Sequence, residues 1–296
     1  MVEFATRNDP LTPLLAPPLA TLHPGQPIRL PALYAKFFSY YVEYAPLGAG
    51  AVGARQTFTV DGKTEGFACY GLSILADNLG AKLQVVSTPG GEQFFFDPTY
   101  LSTLGGGQWP TEIKPPWLLR RNGIMTTIAD DRQLVAAANN IRVAFHGAKL
   151  YRQMLVPPRV YHAGKYYLYP ANFTADDSGQ GALAANATRF YSLRVDADSD
   201  FLVTGISVVS DAAVTLQTLS DDDSWYDTPL RSELLGGSLI ENPVAPLASG
   251  YRVFKLPTPR FISAAGYIKT IAANQVAAVT RVLVQYHGIR LYQRRV

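Results

Sequence analysis

The chain has one cysteine, Cys69, so it can form no internal disulfide and build no multi-cysteine zinc site. Charge is also scarce: only 17% of the 296 residues are Asp, Glu, Lys or Arg, against a usual share of about 25%. With 48% hydrophobic residues, that composition excludes a disordered chain and a coiled coil. The net charge of +3 is too small for a phosphate-tracking surface unless basic side chains cluster, so nucleic acid is not an expected partner. No apolar run reaches about 18 residues, and no helical membrane span is expected. The opening MVEFATRNDPLTPLL has no basic segment leading into an apolar core, so it is not read as a secretory signal.

The local signatures of chemistry are missing as well. There is no GxSxG, HExxH, DxDxDG or Cys-x-x-Cys. The glycine runs at 48–54 and 104–110 are followed by neither Lys-Ser/Thr nor a helix, so they read as turns and not as phosphate loops. Strands do not alternate with long helices, which argues against a Rossmann fold or a TIM barrel. No nucleophile or acid/base set stands out, so an enzyme is the least expected class, with no cofactor and no metal.

What is present begins with an arm. Residues 1–33 hold seven of the 21 prolines, which exclude a helix or a central strand there. Yet Leu11, Leu14, Leu15 and Leu19 make the arm apolar, unlike a flexible polar linker. An extended apolar arm is expected to lie against a surface, either its own domain or a neighbouring subunit. Beyond it, segments such as 56–62, 81–88, 141–152, 200–210, 213–220 and 280–293 are rich in Val, Ile, Thr, Tyr and Phe and bounded by turn residues, the mark of strands.

The strongest signal is an internal repeat. VAFHGAKLYR (143–152) matches VQYHGIRLYQ (284–293), placing His146-Gly147 opposite His287-Gly288. Upstream, in the same order, Val60-Asp61 matches Val195-Asp196, Phe67 matches Phe201, Gly71 matches Gly205 and Asp77 matches Asp211. Asp97 then matches Asp227, Ser102 matches Ser232, Pro116 matches Pro259 and Gly123 matches Gly266. The Tyr-rich lead-ins FFSYYVEY (37–44) and KYYLY (165–169) correspond too. The expected fold is all-β: two tandem jelly-roll-like β-sandwich domains related by internal duplication, after an extended Pro-rich N-terminal arm. The boundaries read from the repeat are 1–33 for the arm, 34–152 for the first sandwich, 153–160 for a stiff linker carrying Pro157-Pro158, and 161–296 for the second sandwich.

Candidate sites follow from residue type. His146, Gly147, His287 and Gly288 occupy repeated positions near strand ends, which points to a role in the fold, such as an imidazole beside a glycine bulge. Cys69 aligns near Val203 in an apolar strand and reads as a packed thiol. The acidic run 221–224, with Asp176 and Asp177, offers oxygen ligands suited to Ca²⁺ but lacks EF-hand spacing, and a solvated turn is expected. Tyrosines are enriched where one end is buried and the other wet, so Tyr40, Tyr41, Tyr166 and Tyr167 join the arm leucines as candidate partner contacts.

Taken together, the V-D-A, D-F and G-I positions, the Leu-Gly-Gly loop, the Pro-x-Pro strand and the closing V-x-Y-H-G-x-R-L-Y resemble a pattern of tailed-bacteriophage virion structural proteins, over about 34–293. The resemblance implies a non-enzymatic protein of the capsid or capsid–tail junction, of the decoration, cement or minor head type. Its partners would be other virion proteins, capsid protein among them, and copies of itself. Its location would be the virion, after assembly in a host cytoplasm. The resemblance transfers no functional site. Two further classes stay open. One is the double-jelly-roll major capsid protein of a tailless, membrane-containing phage. The other is a carbohydrate- or receptor-binding tail module, in which Trp109, Trp117 and Trp225 would stack on sugar rings.

Overall fold

The computed structural model describes residues 27–30, 32–48, 50–88, 91–95, 97–104, 110–131, 138–162, 171–174, 181–221, 223–235, 238–239 and 253–292. Almost all the regular structure in them is strand, arranged in sheets that pair antiparallel apart from one short parallel contact.

In the first half one sheet runs β2 (Ala35–Glu43), β9 (Ile141–Leu150), β4 (Gly66–Ala76), β7 (Thr111–Arg120). The facing sheet runs β3 (Ala51–Thr59), β8 (Ile124–Asp131), β5 (Lys82–Thr88), β6 (Thr99–Tyr100). Counted along the chain from β2, the orders are first-eighth-third-sixth and second-seventh-fourth-fifth. Two sheets wound in this way form a jelly roll. The core between them includes Phe38, Tyr40, Phe58, Phe67, Leu72, Met125 and Phe145, all buried.

The second half repeats the scheme. β11 (Ala171–Thr174), β20 (Val282–Tyr292), β13 (Ser199–Ser210) and β18 (Phe254–Ile262) make one sheet. The other consists of β12 (Thr188–Arg194), β19 (Tyr267–Asn274), β14 (Val214–Ser220) and the short β15 (Asp223–Ser224) and β16 (Leu230–Arg231). Strands with one face to solvent, such as β14, alternate buried and half-buried residues. β4 and β13 are buried almost throughout, because both of their faces are covered.

The register of the two halves agrees residue by residue. Phe67 stands opposite Lys149, and Phe201 opposite Arg290. A bulge falls between Cys69 and Gly71, and another between Val203 and Gly205. Gly123 N–H closes a turn onto the Arg120 carbonyl at 3.0 Å, as Gly266 does onto Ser263 at 2.9 Å. In the central loops the ladder sits one residue away from the sequence match: Leu83 pairs Thr99 while Leu216 pairs Leu230, so Ser102 corresponds to Glu233 and not to Ser232. The lead-in match also moves. At the position of Tyr40, which pairs Phe145, the second half has Ala171 pairing Tyr286, and 165–169 lies outside the described residues.

The described end of the arm, β1 (Pro27–Leu30), pairs antiparallel with β10 (Arg159–His162), which begins inside the stretch read as linker. Proline is tolerated at the first residue of an edge strand, and Pro27 takes that place. Leu30, Leu33, Val156 and Tyr161 then cover Leu202 and Leu291 on the outer face of the second half. Asp200, fully buried beneath them, accepts hydrogen bonds from Tyr161 Oη at 2.8 Å, Arg159 Nη1 at 3.0 Å and the Ala264 N–H at 2.7 Å. Leu11, Leu14, Leu15 and Leu19 lie outside the described residues.

Candidate functional site

The most elaborate constellation of side chains is the seam where the second half meets β2. That strand is covered on both faces. Phe38, Tyr40, Val42 and Tyr44 point into the first sandwich, where Tyr40 stacks on Phe58 at 4.4 Å between ring centres. The alternate residues Phe37, Ser39 and Tyr41 face the second half. Trp225 and Tyr226 meet the Phe37 ring edge-on, each at 6.3 Å, and Phe254 packs on it at 6.2 Å. Ser39 N–H donates to the Trp225 carbonyl at 3.0 Å, and the Ser39 carbonyl accepts the Asp227 N–H at 3.1 Å. The second half thereby adds a one-residue parallel bridge to the free edge of β2.

A charged triad closes one end of the seam. Asp223 pairs with Lys36 at 2.7 Å and with Arg260 at 2.6 Å. Burial alone would raise the Asp223 pKa, but Arg260 and Lys36 hold the carboxylate below its usual range. Arg260 is itself buried, and its guanidinium lies 5.3 Å from the centre of the Trp225 ring. Trp225 Nε1 donates to Ser220 Oγ at 2.9 Å, so its polar edge is satisfied in the interior.

His146 sits behind Ser39. Its Nδ1 is 2.8 Å from Ser39 Oγ and its Nε2 is 2.9 Å from Ser73 Oγ, while Phe254 lies 4.6 Å away. Burial pushes its pKa down to about 3, opposed by a hydrogen bond with the Leu234 backbone, so the ring is neutral near pH 7. His287, at the same register in the second half, is only half-buried and meets Ser207 Oγ at 2.5 Å. Gly147 and Gly288 serve the bulges. A Cβ on Gly147 would run into the Ala68 carbonyl and the Phe67 ring, and one on Gly288 into the Leu202 carbonyl and the Phe201 ring.

The expected site residues are thus separated. Tyr40 lies in the core and offers no outward contact, because its strand turns that face inward. Tyr41 is half-buried against the second half, and its hydroxyl donates to Glu43 at 3.0 Å. Tyr166 and Tyr167 lie outside the described residues. Trp225, considered for sugar stacking, is fully buried in the seam and unavailable to a ligand. Asp223, from the acidic run, is an ion-pair partner across the two halves, while Asp176, Asp177 and Asp222 lie outside the described residues. Cys69 is buried, which pushes its thiol up to about 12. Among the described residues no group of three or more His, Cys, Asp or Glu is placed to hold a metal ion, and no helix is long and apolar enough to cross a membrane.

Sequence reasoning missed the partners Phe37, Trp225, Tyr226 and Arg260. One signal was present: in FFSYYV (37–42) the apolar/polar alternation expected of a half-exposed strand breaks down.

No family model and no curated protein matches the chain. Among the solved structures similar to it is A223, a turret protein in Sulfolobus turreted icosahedral virus, at 12% identity over 85% of this chain and 98% of that chain. The TM-score is 0.20, too low for the likeness to carry an argument.

Proposed function

We propose that this chain is a non-enzymatic structural protein of a virus particle, associated with its capsid and acting through protein–protein packing. The observation that carries the reading is the seam. Two jelly rolls, a fold used by viral capsids and lectins, are joined through Phe37, Trp225, Tyr226 and the Lys36–Asp223–Arg260 triad. A shell subunit needs halves that hold together under load. A lectin needs aromatic faces open to sugar, and Trp225 is closed off. The common strand scheme, bulge and turn of the halves support descent from a tandem gene duplication, with domains at 34–152 and 161–296. The resemblance to tailed-phage virion proteins supports a decoration, cement or minor head role.

A second reading is favoured by one specific observation. Both halves wind as complete jelly rolls, which suits the major capsid protein of a tailless, membrane-containing phage. Quantitative mass spectrometry of purified particles separates the two. A decoration or minor head protein is present below the copy number of the main shell protein, whereas a major capsid protein is itself the most abundant chain. Absence from purified particles would overturn both. Removal of residues 1–26 is expected to abolish incorporation into the shell, and undiminished incorporation would show that the arm does not clamp a neighbour.

A further inference from the structure

The net charge of the whole chain is only +3, and the fold gathers an excess of that size at one end of the first half. There β2, β9, β4 and β7 lie side by side. The end is built from the turn leading into β4, the turn after β7 and the residues that follow β9. The three pieces are tied together. Val60 N–H donates to the Gly123 carbonyl at 2.9 Å, Asn122 N–H to the Val60 carbonyl at 3.0 Å, and Glu65 N–H to the Leu150 carbonyl at 2.9 Å. Gly66 stands opposite Arg120 on one side and Leu150 on the other.

Lys63, Arg120, Arg121 and Arg152 come from these three pieces, and all four are exposed. Among the described residues none of the four is within ion-pair distance of a carboxylate, whereas Lys149 beside them pairs with Asp61 at 3.2 Å. With exposed Glu65 included, this end holds five cations and two carboxylates, an excess equal to the net charge of the chain.

The second half shows how much of this the fold requires. The Lys149–Asp61 pair recurs as Arg290–Asp196. The other cations do not recur. Counted from the matched Asp, Lys63 corresponds to Asp198, and from the matched turns Arg120 corresponds to Ser263 and Arg121 to Ala264. The place of Arg152 is taken by Gln293. The four cations are therefore not needed for packing. Crowded on neighbouring strands about 5 Å apart, they repel one another.

We propose that these four side chains bind the phosphodiester backbone of a nucleic acid, without regard to base sequence. They follow the order of the strands: Arg152 after β9, Lys63 before β4, Arg120 and Arg121 at the end of β7. A row of charge fits a linear polyanion, while a membrane would be met by a plane of charge. Three of the four are arginines, whose planar fork takes phosphate oxygens in pairs. Composition predicts no such partner because it does not show where the charge lies. This inference does not depend on the virion reading.

The test is fluorescence anisotropy of a short labelled DNA duplex of mixed sequence, titrated with the full chain at several salt concentrations. Four phosphate contacts predict an affinity that falls about a hundredfold between about 50 and 200 mM salt. Arg120→Ala with Arg121→Ala, at exposed positions, is expected to lower the log–log salt slope by about two and to weaken binding at low salt at least about tenfold. Lys114→Ala, which removes an exposed cation of β7 that pairs with Glu112 outside the row, is expected to change neither. A second duplex of unrelated sequence is expected to bind equally well. Vesicles of phosphatidylcholine with phosphatidylserine, at matched anionic charge, are expected to bind more weakly. A wild type that does not bind the duplex at low salt, a slope that survives the loss of Arg120 and Arg121, an equal loss in Lys114→Ala, discrimination between the two duplexes, or tighter binding to the vesicles would each overturn the proposal.

Discussion

At the scale of single residues, the two histidines of the repeat show how one position acquires two environments. His146 is sealed between Ser39, Ser73 and Phe254, and its pKa falls to about 3. The unfolded chain titrates the same ring near 6.5. Between those values the unfolded state binds more protons, so stability rises with pH from about 3 to about 6.5 and is lost as pH falls through that window. At about 1.4 kcal/mol per pH unit, the full effect is on the order of a few kcal/mol. Urea unfolding at a series of pH values is expected to show this slope in the wild type and to show it much flattened in His146→Asn. His287→Asn is expected to change it less, since that ring is only half-buried. A wild-type profile flat between pH 4 and 6 would contradict the burial argument. Asp223 acts in the same sense. Its lowered pKa means that the triad's contribution is present above the ordinary carboxylate range and is lost on acidification.

At the scale of elements, the turns and bulges repeat more faithfully than the side chains around them. The turn between β7 and β8 places Asn122 at φ 56°, and the turn between β18 and β19 places Ala265 at φ 61°. Asparagine tolerates the left-handed region, and an alanine there costs about 1–2 kcal/mol. Ala265→Asn or Ala265→Gly is therefore expected to stabilise the protein by about 1 kcal/mol, read as a rise in Tm, whereas Asn122→Ala should lower it. The bulge glycines respond oppositely. Gly147→Ala and Gly288→Ala press a methyl group into a neighbouring carbonyl that is part of a paired strand and cannot step aside. Both are expected to reduce the yield of folded protein, with normal expression of either as soluble chain counting against the close approach.

At the scale of the whole molecule, the seam decides whether the halves behave as one body. Trp225→Ala removes the largest fully buried side chain from that contact, at a cost of about 3–5 kcal/mol. Asp223→Asn leaves Arg260 buried without its carboxylate, a change of comparable size. Calorimetry of the wild type is expected to give one cooperative transition, and either variant two, as the halves uncouple. Two transitions in the wild type would mean that the seam does not bind the halves together. The reading as a shell protein depends on this coupling of the halves.

The sequence by itself determined the strands and the order of the repeated blocks, and it matched Gly71 with Gly205 and Gly123 with Gly266, where the structure then places bulges and turns. These depend on local physics: side-chain alternation, close backbone approach and the conformational range of glycine. Tertiary structure alone decided which of two exposed-looking faces is covered. Alternation places Phe37, Ser39 and Tyr41 on one side of β2, and Tyr40 and Val42 on the other, but it does not say that both sides find a partner. Trp225, Asp223 and Arg260 are far from Phe37 in the chain and carry no motif. They become a site only because burial is set by what packs against a face, and that depends on how one half is laid against the other.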